Sequence, residues 1–308
     1  MRRQEVERAG ELIRAGRLVA FPTETVYGLG ANALDENAVK RIYEVKQRPA
    51  ESPLIVHVCS VEMARSLARA WPEEAEKLAR AFWPGPLTLV VPKQPSIPDV
   101  VTAGLGTVGL RMPAHRLALE LIRAAKVPVA APSANRFSGL SPTTAEHVRA
   151  ALGGSVDLIL DGGATQVGIE STVLTLAAGA PRILRPGMIA RQEIEAVVGP
   201  VGWGATGADD LKASPGMHAR HYSPRTRLVL VDGGRLPASG RGVYLYWRQP
   251  AGEHSIAMPD TPAGYAAVLY ATLHELDEAG WDWIAVERPP ADPAWDGIRD
   301  RLQRAAAQ

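Results

Sequence analysis

The sequence predicts a two-part α/β protein, and three observations carry that reading. Apolar runs alternate with helical patterns over the first 200 residues, the mark of a sheet with helices between its strands. From Gly199 to Arg227 that periodicity gives way to a stretch rich in Gly, Pro, Ser and Ala, which reads as a linker. A shorter α/β pattern then runs to the end of the chain. The expected organisation is a domain over 1–198, a linker over 199–227 and a small domain over 228–308. With 46% hydrophobic and 22% charged residues, the composition suffices for a core in each part.

Each element has a local reason. Residues 3–15 form an amphipathic helix without the apolar segment of a signal peptide. Strands are expected at 17–21 (RLVAF), 54–58 (LIVHV), 86–91 (PLTLVV), 107–112 (TVGLRM), 127–131 (VPVAA), 157–160 (DLIL), 171–176 (STVLTL) and 182–184 (RIL). Helices are expected at 36–47, 61–70, 73–82, 115–125, 143–152 and 190–198, the fifth of these marked by the capping-box spacing of Thr143 and Glu146. Residues 22–30, PTETVYGLG, read as a turn punctuated by Pro22, Gly28 and Gly30. The second part has strands near 228, 242, 255 and 283 and helices over 262–279 and 294–306.

Charge and cysteine content narrow the function. A net charge of +1, from 34 Lys and Arg against 33 Asp and Glu, gives no electrostatic basis for tight nucleic-acid binding. The lone Cys59 supports neither an internal disulfide nor a cysteine metal site, and no apolar run reaches membrane-spanning length, so a cytoplasmic protein is expected. There is no GxxxxGK[ST] loop, no GxGxxG after a strand and no HExxH.

Seven stretches combine polar or charged residues with an element end. In 46-KQRP-49, Pro49 must stop the helix, which frees Arg48 to swing beside Lys46; the two cations either complement the helix macrodipole or converge on a ligand. His57 lies in period with Ile55 on one strand face, as a core histidine or a ligand. The 22–30 turn carries Thr23, Glu24, Thr25 and Tyr27, which satisfy the turn itself or face a ligand at a strand's carboxyl end. Thr107, Gly109 and Arg111 share a strand face, and the arginine requires either an internal carboxylate or a substrate carboxylate. Ser133, Asn135, Ser138 and Ser141 follow a strand end, as in a capped loop or a phosphate- or adenine-binding loop. Ser171 stands in 169-IESTV-173 and Arg185 in 184-LRPG-187. Finally, 215-PGMHARHYSP-224 places His218, Arg220, His221 and Tyr222 in the linker, as a basic tether or as a lid.

In this order the stretches resemble the threonylcarbamoyl-AMP synthases, the YrdC-like family, in its two-domain form. PTETVYGLG, KQRP followed by PL, PSANRFSG, GIESTV and RPG together carry the likeness, over roughly 8–195, the linker and, more loosely, the C-terminal part. The resemblance implies an open twisted mixed sheet with a large concave cavity, plus a small Rossmann-like α/β domain. It implies synthesis of threonylcarbamoyl-adenylate and pyrophosphate from L-threonine, bicarbonate or carbon dioxide, and ATP with Mg²⁺ held mainly by the phosphates. The product would feed a separate transferase that modifies the tRNA adenosine beside the anticodon. Carried over by motif, Lys46, Arg48, Thr107, Ser133, Asn135, Ser141, Arg185 and Tyr222 would surround ATP, with Lys46 and Arg48 catalytic. Ser52 stands where the family often has Asn as a nucleotide contact. Thr25, His57, Arg111, Ala131 and Ser171 would hold threonine. Two rival readings are a structured-RNA-binding module, against which the charge counts, and a carbamoyl-phosphate-dependent carbamoyltransferase, whose cysteine motifs one cysteine cannot supply.

Overall fold

The computed structural model describes residues 2–177, 179–204 and 221–307. The first domain is built on one ten-stranded mixed sheet. Its strands are β1 (Val19–Phe21), β2 (Gly28–Asn32), β3 (Ile55–His57), β4 (Leu87–Pro92), β5 (Thr107–Arg111), β6 (Val129–Ala130), β7 (Leu158–Ile159), β8 (Thr172–Thr175), β9 (Arg182–Arg185) and β10 (Gly202–Trp203). They lie side by side as β10-β9-β8-β4-β5-β3-β6-β2-β1-β7. Five of the neighbouring pairs are antiparallel and four parallel, the mixture expected.

Helices cover both faces. Helices α1 (Arg2–Arg14) and α6 (Arg116–Ala125) pack on Val19, Phe21 and Val129. Helices α2 (Glu36–Lys46), α3 (Val61–Leu67), α4 (Glu73–Phe82), the short α5 (Asp99–Thr102), α7 (Ala145–Leu152) and α8 (Arg191–Val198) bury their apolar sides against Leu29, Val56, Leu89 and Leu174.

Four details differ from the sequence reading. Residues 28–32, expected to end a turn, form strand β2 instead. This strand is made of small residues because Gly30 lies against its neighbours: a Cβ there would sit 2.8 Å from Phe21 and from Val129. Helix α7 is capped by Thr144, whose hydroxyl accepts from His147 N at 3.3 Å, and not by Thr143, which is buried; Glu146 turns instead to Arg149 at 2.7 Å. Helix α5 and strand β10, only four and two residues long, leave no mark in the sequence pattern. Strand β10 pairs with β9 and Val201 joins the main core, so the sheet runs past residue 198.

The second domain is a four-stranded parallel sheet ordered β11 (Arg227–Val231), β14 (Trp283–Glu287), β12 (Gly242–Tyr246), β13 (Ser255–Ala257), with helices α9 (Pro262–Glu278) and α10 (Asp296–Ala306). It packs closely on the first domain. Val26, Leu140 and Ile169 share one apolar cluster with Leu269, Tyr270 and Leu273 of α9, and the His147 and His274 rings stack 3.9 Å apart across the junction. Most of the 199–227 linker, including His218 and Arg220, lies outside the described residues.

Candidate active site

The end of α2 answers why two cations flank one residue. The helix stops at Lys46, Gln47 adopts the left-handed conformation (φ 53°), and its N–H and that of Arg48 cap the carbonyls of Glu44 and Tyr43. That reversal turns Arg48 back beside Lys46, and both are buried. Lys46 Nζ donates to the carbonyls of Ser133 (2.6 Å) and Asn135, and no carboxylate pairs with it among the described residues. Burial, then the charge of Arg48, holds its pKa well below the usual lysine value. Arg48 donates to the carbonyls of Ser52 (3.5 Å) and Pro53 (3.2 Å) and lies 5.9 Å from the Phe137 ring.

Arg48 lines a cavity together with Thr23, Gly28 and Pro132. Thr25, His57, Arg111, Ala131 and Ser171, the residues expected around threonine, all line it. So do Arg48, Ser133, Arg185 and Tyr222 of the set expected around ATP. Lys46 stands behind Ser133 through its hydrogen bond. The remaining expected residues sit elsewhere. Thr107 faces a small adjoining hollow shared with Thr88 and Ile55. Ser52 is buried beneath Arg48, its carbonyl accepting from Tyr43. Asn135 closes its own loop by donating to the carbonyls of Arg136 and Gly139, each at 2.8 Å. Ser141 is buried and donates its hydroxyl to Glu170.

Arg111, for which the sequence admits two kinds of partner, has an internal one. Its Nη2 meets Glu24 Oε1 at 2.7 Å, its Nε donates to Gly85 O at 3.3 Å, and the second Glu24 oxygen accepts from Ala114 N at 3.0 Å. Its Nη1 has no partner among the described residues, which leaves one donor edge of the guanidinium open. Next to it in the sheet, His57 stacks edge-on against Phe21, and its Nδ1 has no hydrogen-bond partner among the described residues. Burial and the Arg111 charge push its pKa down to about 3, so the imidazole is neutral at physiological pH. Arg185 holds Ser171 through its carbonyl (3.0 Å) and hydroxyl (3.2 Å), and Ser171 Oγ also meets Thr88 at 2.8 Å.

Two further polar atoms without a hydrogen-bond partner among the described residues belong to the linker's C-terminal end: His221 Nδ1 and the Tyr222 hydroxyl, both buried. Burial lowers the His221 pKa to about 3 and raises that of Tyr222. Glu170 is the one carboxylate among the cavity's described lining residues; it falls within the IESTV stretch, where the sequence pattern assigns it no role. A larger hollow near α1 and α6 is lined by Glu24, the partner of Arg111, but otherwise by mixed charges such as Arg3, Glu7 and Glu120; its size comes without converging groups. Among the described residues, no cluster of three or more His, Cys, Asp or Glu is arranged to hold a metal.

Buried cations, a guanidinium edge without a partner among the described residues and buried unsatisfied polar atoms around one hollow are the marks of an enzyme cavity suited to an anionic substrate. Comparison makes the class particular. Residues 11–187 match the Sua5–YciO–YrdC family model, described as "Telomere recombination", and residues 189–307 match the threonylcarbamoyl-AMP synthase C-terminal domain. The threonylcarbamoyl-AMP synthase of Pyrococcus abyssi is 44% identical over 97% of this chain and 93% of its own, and that of Bacillus subtilis 43% identical over 98% and 93%. The crystal structure of P. abyssi Sua5 complexed with L-threonine superposes with a TM-score of 0.91 at 42% identity, covering 99% of this chain and 94% of that one. This chain belongs to the two-domain threonylcarbamoyl-AMP synthase family.

Proposed function

We propose that this protein condenses L-threonine, carbon dioxide or bicarbonate, and ATP to threonylcarbamoyl-AMP and pyrophosphate. The observation that carries the reading is the convergence in one cavity of all five residues expected around threonine with Arg48 and Arg185. In this reading the threonine carboxylate takes the open edge of Arg111, and the neutral His57 Nδ1 bonds the amino acid. The amine adds to carbon dioxide and gives up a proton to solvent. The carbamate oxygen then attacks the α-phosphorus, and pyrophosphate leaves. Negative charge grows on the phosphates, where Arg48 and Arg185 are fixed in advance to meet it, with Lys46 held behind the wall at Ser133. His57 and His221 are weak bases at the pKa values their burial dictates, and Glu170 is spent on other partners, so catalysis rests on alignment and charge stabilisation.

Mg²⁺ would arrive on the triphosphate. The cavity's carboxylate is already bonded, so the side chains do not fit a metal of their own and no step is assigned to it. The buried His221 and Tyr222 would shut water away from a carbamate and a mixed anhydride that it would destroy. The product would pass to a transferase acting on the tRNA adenosine beside the anticodon, in the cytoplasm. Among the described residues no helix is long and apolar enough to cross a membrane. The test is pyrophosphate release from purified protein with each substrate omitted in turn. Strict dependence on ATP, threonine and bicarbonate is expected; release without threonine would remove the assignment.

A further inference from the structure

The cavity contains a carboxylate where an anion is meant to bind. Glu170 is buried in the wall, beside Ser171 and Tyr222. Its Oε1 accepts from the Ser141 hydroxyl; its Oε2 accepts from Arg301 Nε at 2.7 Å and from the Tyr270 hydroxyl at 3.1 Å. Arg301 stands on α10 and Tyr270 on α9, both in the second domain.

Arg301 is only 1% exposed, and burying an arginine is unfavourable unless its fork is satisfied. It is satisfied from two sides, by the Glu170–Pro186 stretch of the first domain and by Asp300 on its own helix. Besides Glu170 Oε2, it donates to the carbonyls of Pro186 (3.0 Å) and Glu170 (3.3 Å) and to its neighbour Asp300 (2.7 Å), and the guanidinium lies 5.1 Å from the centre of the Tyr222 ring. The approach is built into the backbone. Gly297, one turn before Arg301, packs so closely that a Cβ would lie 2.8 Å from the carbonyl oxygen of Gly187, two residues past Arg185.

We propose that Arg301 is a positioning residue of the adenylation site: it neutralises and fixes Glu170, so that the second domain completes the charge balance that admits a triphosphate. The identity of the anion rests on the function proposed above. The charges have the required sense. Burial opposes ionisation of Glu170, and Arg301 and then Arg185 outweigh it, with the Ser141 hydrogen bond helping, so the carboxyl stays below its usual pKa and charged. A charged, uncompensated Glu170 would repel the phosphates. Without Arg301 its carboxyl would titrate at higher pH, and acidification would relieve the repulsion.

The experiment compares wild type, Arg301→Met, Glu170→Gln and the double variant by direct ATP binding, by KM for ATP and threonine from pH 6 to 8.5, and by thermal melting. Arg301→Met is expected to weaken ATP about tenfold while threonine KM changes less than about twofold, with the defect shrinking as pH falls. The double variant, with a neutral pair of similar size, should recover most of the ATP affinity and lose that pH dependence. The inference is overturned if both KM values rise together, or if the double variant melts like wild type yet binds ATP no better than Arg301→Met. Wild type that binds ATP without releasing pyrophosphate would defeat the proposed reaction alone, because the binding comparison still decides Arg301. Wild type that binds no ATP would defeat both.

Discussion

Arg111 shows how one side chain can secure the fold and still keep a donor edge for the substrate carboxylate proposed above. Its pairing with Glu24 secures a guanidinium that would be very costly unpaired at this depth, and the geometry leaves one donor edge open. Arg111→Ala is therefore expected to raise the threonine KM far more than that for ATP. It should also lower stability by about 3 kcal/mol, because Glu24 is left buried without its partner. Steady-state kinetics and urea unfolding check both, and a larger effect on ATP would reject the carboxylate role. The sequence requires a partner for Arg111 without choosing one, since nothing local links positions 24 and 111. The histidines give a second expectation. His57 and His221 are held near pKa 3 and His147 near 4, in each case first by burial, while the unfolded chain titrates near 6.5. A depressed folded pKa means stability that is complete above about 6.5 and lost as pH falls toward the folded values. Each fully buried histidine should cost about 2 kcal/mol between pH 7 and pH 5. Unfolding free energies at those two pH values test this, and replacing His57 with Gln should remove one proton from the slope.

At the scale of elements, the sequence is most legible where a period of 3.6 or an apolar run lasts several residues, as in α2, α6, β4 and α9. It is silent where an element is short or built from small residues. The β2 sequence GLGAN has no β-branched or aromatic residue to announce a strand; it is a strand because β1 and β6 pair with it on either side, and at Gly30 the Phe21 ring and Val129 leave room only for glycine. The α2 terminus is half legible. Pro49 announces a stop, but the left-handed Gln47 that sets Arg48 beside Lys46 carries no signal, since glycine or asparagine is the usual choice there. Gln47 is exposed, so Gln47→Gly should stabilise the protein by up to about 1 kcal/mol with kcat unchanged. Gln47→Val should cost about 1–2 kcal/mol and also lower kcat, because a β-branched residue resists the conformation that aims both cations. Thermal melts beside pyrophosphate assays separate the two effects. A loss of activity in the glycine variant would show that Gln47 itself touches the reaction.

For the whole molecule the issue is what the second domain contributes, and the sequence does not reach it. Glu170 and Arg301 are 131 residues apart, and periodicity, capping and turn chemistry all stop at the boundary of one element. The motifs are nonetheless readable as a set, because each is a strand or helix end and the topology of an open sheet gathers such ends in one hollow. Truncation tests the division of labour. The cores around Leu89, Phe21 and Val173 draw only on residues of the first domain, with Val201 and β10 included, so a chain ending at Gly204 should fold. It would expose Val26, Leu140 and Ile169, which are buried in the interdomain cluster, and should therefore associate or melt somewhat lower. It would also lose Arg301 and Tyr270 from Glu170, and Tyr222 and His221 from the cavity. Threonine binding through Arg111, Glu24 and His57 should survive, because those residues lie wholly within the first domain. ATP affinity should fall by about a hundredfold and turnover should almost vanish, as the phosphates meet a bare carboxylate and the intermediates meet water. Calorimetric titration with each substrate, beside circular dichroism of the truncated chain, reads these outcomes separately. A folded truncation that binds ATP and turns over like the full chain would confine the second domain to a role outside the cavity.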